Sequence, residues 1–575
     1  MMAPRRHLDV SQDAPRFRLG VSQHVPRFRL GHGRLKLRPP DSARRRQREE
    51  KLRHYREAMD ALLGQGAPPA QVLSLTGSVL AANPDVGTCW NLRRRALGAL
   101  GGDWVPSELS FVGQCLGVNP KSYGAWHHRG WVLAHAAAPP AGREDLALCE
   151  RLLAADPRNF HAWEHRRALA AGQDPEAELA FAGALLSRDF SNFSAWHHRL
   201  RLLAPARNSG KGEAGALPPE RLKEELELVQ NAVFTDPTDQ SAWVYLRCIL
   251  SRAPPPPRII CVYVDREDAS LAVIFSRPVK VNPECPELTA TLDGSTLDGA
   301  WRSGEGRPRP SHTWLCALPA PPSDRPALLG VTWAPDPAPP RQVTLQPGEA
   351  EAWWQEPIVE RELFWPELGV AEAPVLREQV RMCRELLELE PQSRGCLLTL
   401  ALLLAALEPR GHAHEIRQHL RSLQDADPLR SGFVADVRSR FEAALAILGA
   451  GEGLSLPGKE LTSLPLAERL ALLTRLELPR NGLGALPPAL GALRRLQELD
   501  LSDNRISELG PAPPLPRLQL LRLDRNPLGH APALSPLAAW PRLARLGLAG
   551  TPLSSAPDGP ALLAQLLPRV DVTFS

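Results

Sequence analysis

The string PKSYGAWHHR (residues 120–129) gathers a lysine, a tyrosine, two histidines and an arginine around one tryptophan, Trp126. Related strings surround Trp90, Trp163, Trp196 and Trp243, so that the five tryptophans follow one another at steps of 36, 37, 33 and 47 residues. Imidazoles in such strings can ligate a metal or move a proton, and His127, His128, His165, His197 and His198 invite that reading. Their regular return on successive units favours another, hydrogen bonding that holds the units together. A reaction needs its site once, whereas a stacking contact is needed at every repeat. By that test the tryptophans, and the arginines three places after them (Arg93, Arg129, Arg166 and Arg199), are structural. The position five before each tryptophan behaves otherwise. It is Asp85, Lys121, Arg158, Ser191 and Thr238 in turn, so stacking does not hold it. Lys121 is there either a cation available to chemistry or a solvated lysine in a turn.

The elements that must position these residues follow from the same strings. An amphipathic run such as LKEELELVQNAVF (residues 222–234) precedes the signature, with apolar residues at helical spacing. In most copies a proline then opens a turn, and a Ser, Asn or Asp after it can cap the next helix. The unit is helix, turn, helix over about 34–37 residues, the period of an α-solenoid. One hairpin cannot bury both of its helices, but stacked hairpins can, with the tryptophan as a wedge worth roughly 2–3 kcal/mol or more. A weaker copy, EPQSRGCLLTL, appears at residues 390–400.

Between the fifth copy and that weaker one, from Pro254 onward, the pattern changes to short β-branched and aromatic runs (PPPPRIICVYVD, LAVIFSRPVKV, HTWLCALP, LLGVTWAP, RQVTL). Pro, Gly and Asp clusters separate them, which predicts antiparallel strands and an inserted immunoglobulin-like β-sandwich. Near the C-terminus, residues 473–483, 496–506, 518–528 and 543–553 read L-x-x-L-x-L-x-x-N-x-L. Asn481, Asn504 and Asn526 hold the ladder position, Thr551 replaces Asn in the last copy, and a degenerate copy precedes them at 454–461. These are leucine-rich repeats, a fold assignment that leaves the ligand open. The expected fold class is therefore multidomain and mainly α. A flexible extension over 1–31 precedes helical repeats over 32–251 and the β-sandwich over 252–349; helical repeats resume over 350–448, and leucine-rich repeats fill 449–575.

The extension is a tandem duplication, VSQDAPRFRLG and VSQHVPRFRLG (residues 10–31), too short and too rich in Arg and Pro to bury a core. The basic stretch at residues 44–56 could meet nucleic acid or an anionic membrane, but reads first as one face of a solvated helix. With 575 residues, 43% hydrophobic and 23% charged, the chain has an ordinary globular balance for several domains, and a net charge of +4 does not suggest a nucleic-acid binder. Nine cysteines stand singly, with no C-x-x-C pair, which fits reduced thiols in the cytoplasm. The longest apolar run, residues 396–407, is too short to span a bilayer, so no transmembrane segment is expected. The N-terminus shows no signal-peptide stretch.

The tandem Asn/Asp-Pro-x-x-Tyr/Phe-x-x-Trp-x-x-Arg units resemble the α subunits of protein prenyltransferases. The two added modules are similar to the Rab geranylgeranyltransferase (type II) branch of that family. The resemblance implies that the solenoid wraps a prenyltransferase β subunit, a barrel holding zinc and most of the isoprenoid pocket. Zinc there generates a thiolate on the acceptor cysteine, which attacks geranylgeranyl diphosphate as diphosphate leaves. The acceptor is a Rab GTPase delivered by a Rab escort protein, and this chain alone is inactive. Lys121 matches the family's lysine that reaches the diphosphate, a contact whose loss costs on the order of 10²-fold in rate. Tyr123 and His161 match positions lining the same mouth, where both can equally pack or cap. Gly124 departs from the enzymes that read a C-terminal CaaX box, which resemble one another in carrying a carboxylate-binding Gln there; direct CaaX reading should be weak. His32, in GHGRLKL, corresponds to a near-terminal histidine that can reach the partner's zinc, although residues 1–31 must then thread a site built for a chain end. A non-catalytic scaffold built from the same solenoid and leucine-rich modules is the alternative from another class. Within the family, a type I or farnesyltransferase α chain is disfavoured by Gly124 and by the two added modules.

Overall fold

A computed structural model describes residues 42–574 apart from 65, 137–141, 171–173, 209–216, 252–255, 283–286, 298, 305–308, 323 and 365–372. The chain falls into two compact units that part between Leu202 and Leu203.

The first unit is helical: α1 (Ser42–Leu63), α2 (Pro69–Ala82), α3 (Gly87–Leu100), α4 (Val105–Val118), α5 (Tyr123–Ala134), α6 (Arg143–Ala155), α7 (Phe160–Ala170), α8 (Pro175–Leu186) and, as far as Leu202, α9 (Phe193–Asn208). Helices α2 and α3, α4 and α5, and α6 and α7 pack as hairpins. Proline in the first turn of α2, α4 and α8 supplies a preset φ where no intrahelical donor is needed. Asn119 and Asp156 end α4 and α6 with extended backbone, and Ser122 caps α5. Trp90, Trp163 and Trp196 are fully buried, as the wedge reading expects. The side chains of Arg46, Arg48, Lys51, Arg53 and Arg56 on α1 are exposed, the solvated face anticipated for that basic run.

The second unit opens with the hairpin α10 (Pro219–Thr235) and α11 (Gln240–Leu250). The β-rich insert follows: β1 (Ile259–Asp265), β2 (Ser270–Val279), β3 (Leu288–Leu292), β4 (Ser295–Thr296), β5 (Arg302–Ser303), β6 (Ser311–Ala317), β7 (Ala327–Trp333), β8 (Arg341–Leu345) and β9 (Glu351–Gln355). They form two antiparallel sheets, ordered β5-β6-β2-β1-β9 and β4-β3-β7-β8. One apolar core, including Val262, Phe275, Trp314, Leu329 and Val343, draws on both. The insert runs past the expected boundary at residue 349, because β9 pairs with β1 over Glu351–Gln355. Its sequence, EAWWQ, lacks the β-branched residues that marked the other strands.

Helices α12 (Glu360–Leu363), α13 (Ala373–Leu389), α14 (Arg394–Leu407), α15 (Ala413–Ala426) and α16 (Ser431–Leu448) resume the helical pattern. Helix α14 contains the longest apolar run and is buried along it. It packs on α11: the Ser393 hydroxyl donates to the Pro237 carbonyl and Arg247 to Thr399 Oγ1, so the insert leaves and rejoins the helices between neighbouring hairpins. Among the described residues no helix is long and apolar enough to cross a membrane.

The leucine-rich part forms a parallel sheet in chain order from β10 (Gly453–Ser455), β11 (Arg475–Glu477), β12 (Glu498–Asp500), β13 (Leu520–Arg522), β14 (Arg545–Gly547) and β15 (Asp571–Thr573). The ladder asparagines do what their spacing predicts. Asn504 Nδ2 donates to the carbonyls of Leu478, Leu501 and Ser502, and its Oδ1 accepts from Leu483 N. Thr551 keeps local bonds, its hydroxyl donating to the Leu548 carbonyl and accepting from Ser554 N. The residue before each of these positions (Arg480, Asp503, Arg525, Gly550) has positive φ. The last strand, β15, lies outside the leucine pattern and closes the sheet beside β14.

Candidate functional site

The tryptophan signature resolves into a set of shared backbone acceptors. Each indole donates to the carbonyl six residues earlier: Trp90 to Pro84, Trp126 to Pro120, Trp163 to Pro157, Trp196 to Phe190 and Trp243 to Pro237, at 2.7–3.0 Å. At Pro84 and Pro120 the second lone pair of the same carbonyl takes the capping side chain of the next hairpin. Ser122 Oγ donates to Pro84 at 2.9 Å and Asn159 Nδ2 to Pro120 at 3.0 Å. Proline at that place presets the turn that aims its carbonyl, so one short string fixes both the hairpin and its neighbour.

The α4–α5 and α6–α7 turns thereby lie side by side, and they carry Lys121, Tyr123 and His161. Asn119 Oδ1 accepts from Lys121 N at 3.0 Å, while Asn159 Oδ1 accepts from His161 N at 3.1 Å. The Lys121 ammonium meets Asp156 Oδ2 of the neighbouring turn at 2.8 Å. Tyr123 is 72% exposed, and its ring stands perpendicular to the imidazole of His161 with centroids 4.4 Å apart. Phe160 completes the cluster, 3.9 Å from the imidazole and 5.9 Å from Tyr123 between centroids. His161 itself is only 8% exposed, and its Nε2 is buried without a hydrogen-bond partner among the described residues. Burial lowers its pKa below the ordinary 6.5; bonding to the Lys121 backbone opposes this and the Lys121 ammonium reinforces it. The imidazole is thus neutral near pH 7. The structure brings the three expected residues together into a cation, an exposed phenol and a neutral imidazole that packs against that phenol. Such a mouth can receive an anion.

The other histidines divide by burial. Three pair with carboxylates on the hairpin's first helix: His128 Nε2 with Glu108 at 2.7 Å, His165 Nε2 with Asp145 at 2.8 Å, and His198 Nε2 with Glu178 at 3.0 Å. The same carboxylates take the arginine three places after the previous tryptophan. Arg93 grips Glu108 with two bonds of 2.6 and 2.7 Å, Arg129 pairs with Asp145, and Arg166 reaches Glu178 at 2.9 and 2.7 Å. These carboxylates were missed in the sequence although a signal existed: each lies 20 residues before its histidine, as Glu225 lies 20 before Tyr245, whose hydroxyl it accepts at 2.6 Å. His127 and His197 are exposed, and His197 stacks on Phe193.

Gly124 has a packing reason. A Cβ there would fall 2.6 Å from the Trp90 ring, so the indole of the preceding hairpin occupies the space of any side chain. His32 lies outside the described residues. Among the described residues no group of three or more His, Cys, Asp and Glu can hold a metal ion, and the described cysteines are free thiols.

Comparison with known proteins bears on most of the chain. Residues 259–358 match the model of the Rab geranylgeranyl transferase α-subunit insert domain. The protein prenyltransferase α-subunit repeat matches residues 105–136, 143–171, 175–204 and 222–253, and a leucine-rich repeat model matches 471–528. The chain is 42% identical over 563 residues to geranylgeranyl transferase type-2 subunit alpha of Bos taurus, covering 94% of this chain and 99% of that one. The Homo sapiens protein of the same name gives the same identity and coverage. Its Saccharomyces cerevisiae counterpart is 30% identical over 241 residues, 39% of this chain and 71% of that one.

Proposed function

This chain belongs to the geranylgeranyl transferase type-2 α-subunit family, and we propose that it is the helical half of an enzyme that geranylgeranylates Rab GTPases at C-terminal cysteines. What supports this is likeness along almost the whole chain, the β-rich insert included. The working complex pairs it with a prenyltransferase β subunit and draws geranylgeranyl diphosphate and an escort-delivered Rab substrate, in the cytoplasm. Zinc belongs to that partner, as the family resemblance implies; when bound it supplies the thiolate nucleophile. We read the two-sheet insert as immunoglobulin-like, set between helical repeats and followed by the leucine-rich repeats.

Within this reading the chain contributes charge and shape. The Lys121 ammonium offsets negative charge that grows on the diphosphate as its bond to the isoprenoid breaks. Because this charge is largest in the transition state, the cation accelerates the step rather than merely tightening binding. Tyr123 offers a phenolic donor beside it. Neutral His161 packs against the ring and holds the phenol toward solvent rather than against the helices. Gly124 denies the site a carboxylate-binding side chain, in keeping with a substrate delivered by an accessory protein.

The test is prenyl transfer to a Rab substrate, with and without β subunit and escort protein. Transfer should require the β subunit, and Lys121→Ala should slow single turnover on the order of 10²-fold. A Lys121→Ala enzyme with the parental single-turnover rate would remove the lysine from the reaction. A lone chain that recruits no β subunit and supports no transfer would return the scaffold reading.

A further inference from the structure

The neighbour of Lys121 deserves as much weight as the lysine. Asp156 ends α6, and its carboxylate is held from one side only: Oδ1 accepts from Arg158 N at 3.1 Å. The other oxygen, Oδ2, lies 2.8 Å from the Lys121 ammonium, yet it is buried and accepts no well-aligned hydrogen bond among the described residues. The pair is therefore an ion pair held by charge and proximity. One hairpin earlier the same two positions are joined differently: Asn119 Nδ2 donates to Asp85 Oδ2 in an aligned bond of 2.8 Å. That rung joins an amide to a carboxylate and serves stacking. At the next rung the members are two opposite charges, and the cation is the one read above as meeting the diphosphate.

Resting on that reading, we propose that Asp156 is the exchangeable counter-ion of Lys121, holding the ammonium at the mouth, yielding it to the diphosphate and taking it back as the product leaves. A bare ammonium would grip the departing diphosphate, which carries more charge than the substrate, and would slow its release. With a fixed carboxylate within reach, the net attraction is the difference between two ion pairs. A side-chain swing of the lysine converts one into the other, and no proton moves.

Asp156→Asn isolates this role in the assembled enzyme. The amide oxygen can still accept from Arg158 N, while the charge is gone. Inorganic diphosphate, measured as an inhibitor competing with geranylgeranyl diphosphate, should bind about threefold to fivefold more tightly to Asp156→Asn, the range expected for a half-exposed ion pair. The melting temperature should stay at the parental value. In a Lys121→Ala background the same change should have no effect on inhibition. Unchanged inhibition in Asp156→Asn, or equal tightening with and without Lys121, would overturn the proposal even where Lys121→Ala is slow. A Lys121→Ala enzyme of parental rate would instead overturn the reading beneath it.

Discussion

His128 shows how much one proton weighs inside a stacked hairpin. Its Nε2 meets Glu108, its ring lies against Trp90 and Trp131, and its Nδ1 is buried without a partner among the described residues. Burial lowers its pKa below 6.5; Glu108 opposes this, and Arg94 and Arg93 add to it. The unfolded chain therefore takes up a proton at higher pH than the folded one. The stability this site supplies is complete above about pH 6.5 and falls as pH drops toward the folded value. Burial alone would raise the pKa of Glu108, but its bonds to His128 and Arg93 prevail and lower it from 4.5, so a second loss begins below about pH 4.5. Replacing His128 with Gln should flatten the upper window, reducing the dependence of unfolding free energy on pH by up to about 1.4 kcal/mol per unit. Denaturant titrations at pH 7 and 5.5 measure it, and equal slopes in both proteins would contradict the account.

At the level of elements, the hairpin turn is the working part. At Pro84 the proline carbonyl accepts two donors, and Gly124 lets the preceding indole come close to the start of α5. Family resemblance presents Gly124 as a missing donor for a peptide carboxylate; the packing adds that a Cβ there would meet the Trp90 ring. Gly124→Gln should lower stability by roughly 1–3 kcal/mol through overpacking, without creating efficient transfer to a CaaX peptide. A melting curve and a peptide assay together decide it: a fully stable variant would show that Trp90 yields easily. The leucine-rich repeats carry the corresponding test. Asn504→Ala removes three donated bonds and one accepted bond at buried backbone groups, and about 3 kcal/mol should be lost. Thr551, whose hydroxyl makes only local bonds among the described residues, donating to the Leu548 carbonyl and accepting from Ser554 N, should tolerate Ser with little change in melting temperature.

Across the second unit the insert and the leucine-rich repeats are joined by buried charge. Arg517 reaches Asp265 at 2.6 Å and Glu351 at 3.0 Å, and the Tyr263 hydroxyl donates to Glu351 at 2.7 Å. Arg495 also holds Glu351, and Arg494 pairs with Asp268. Removing the cation with Arg517→Met leaves the buried Asp265 carboxylate without its cation and Glu351 with Arg495 alone, which costs about 3–5 kcal/mol where such a pair is broken on one side. Calorimetry should show this unit unfolding at lower temperature, with Arg517→Lys recovering part of the loss. An unshifted transition would mean that the apolar contacts around Ile260, Ile274 and Ala471 hold the junction without the charges. The two members of each of these pairs are far apart in the sequence; Arg517 and Asp265 are 252 residues apart. The repeats themselves were legible because periodicity is local: tryptophans at hairpin spacing and leucines at ladder spacing repeat within the reach of one element. The cluster of Lys121, Tyr123 and His161 was legible only through family resemblance, and the arrangement around it was not. Only stacking sets the neighbouring turn beside Lys121, gives the ammonium Asp156 as its counter-ion and seats Trp90 over Gly124. Distances between side chains some 35 residues apart are decided by how one hairpin lies on the next, a property of packed volume rather than of sequence spacing.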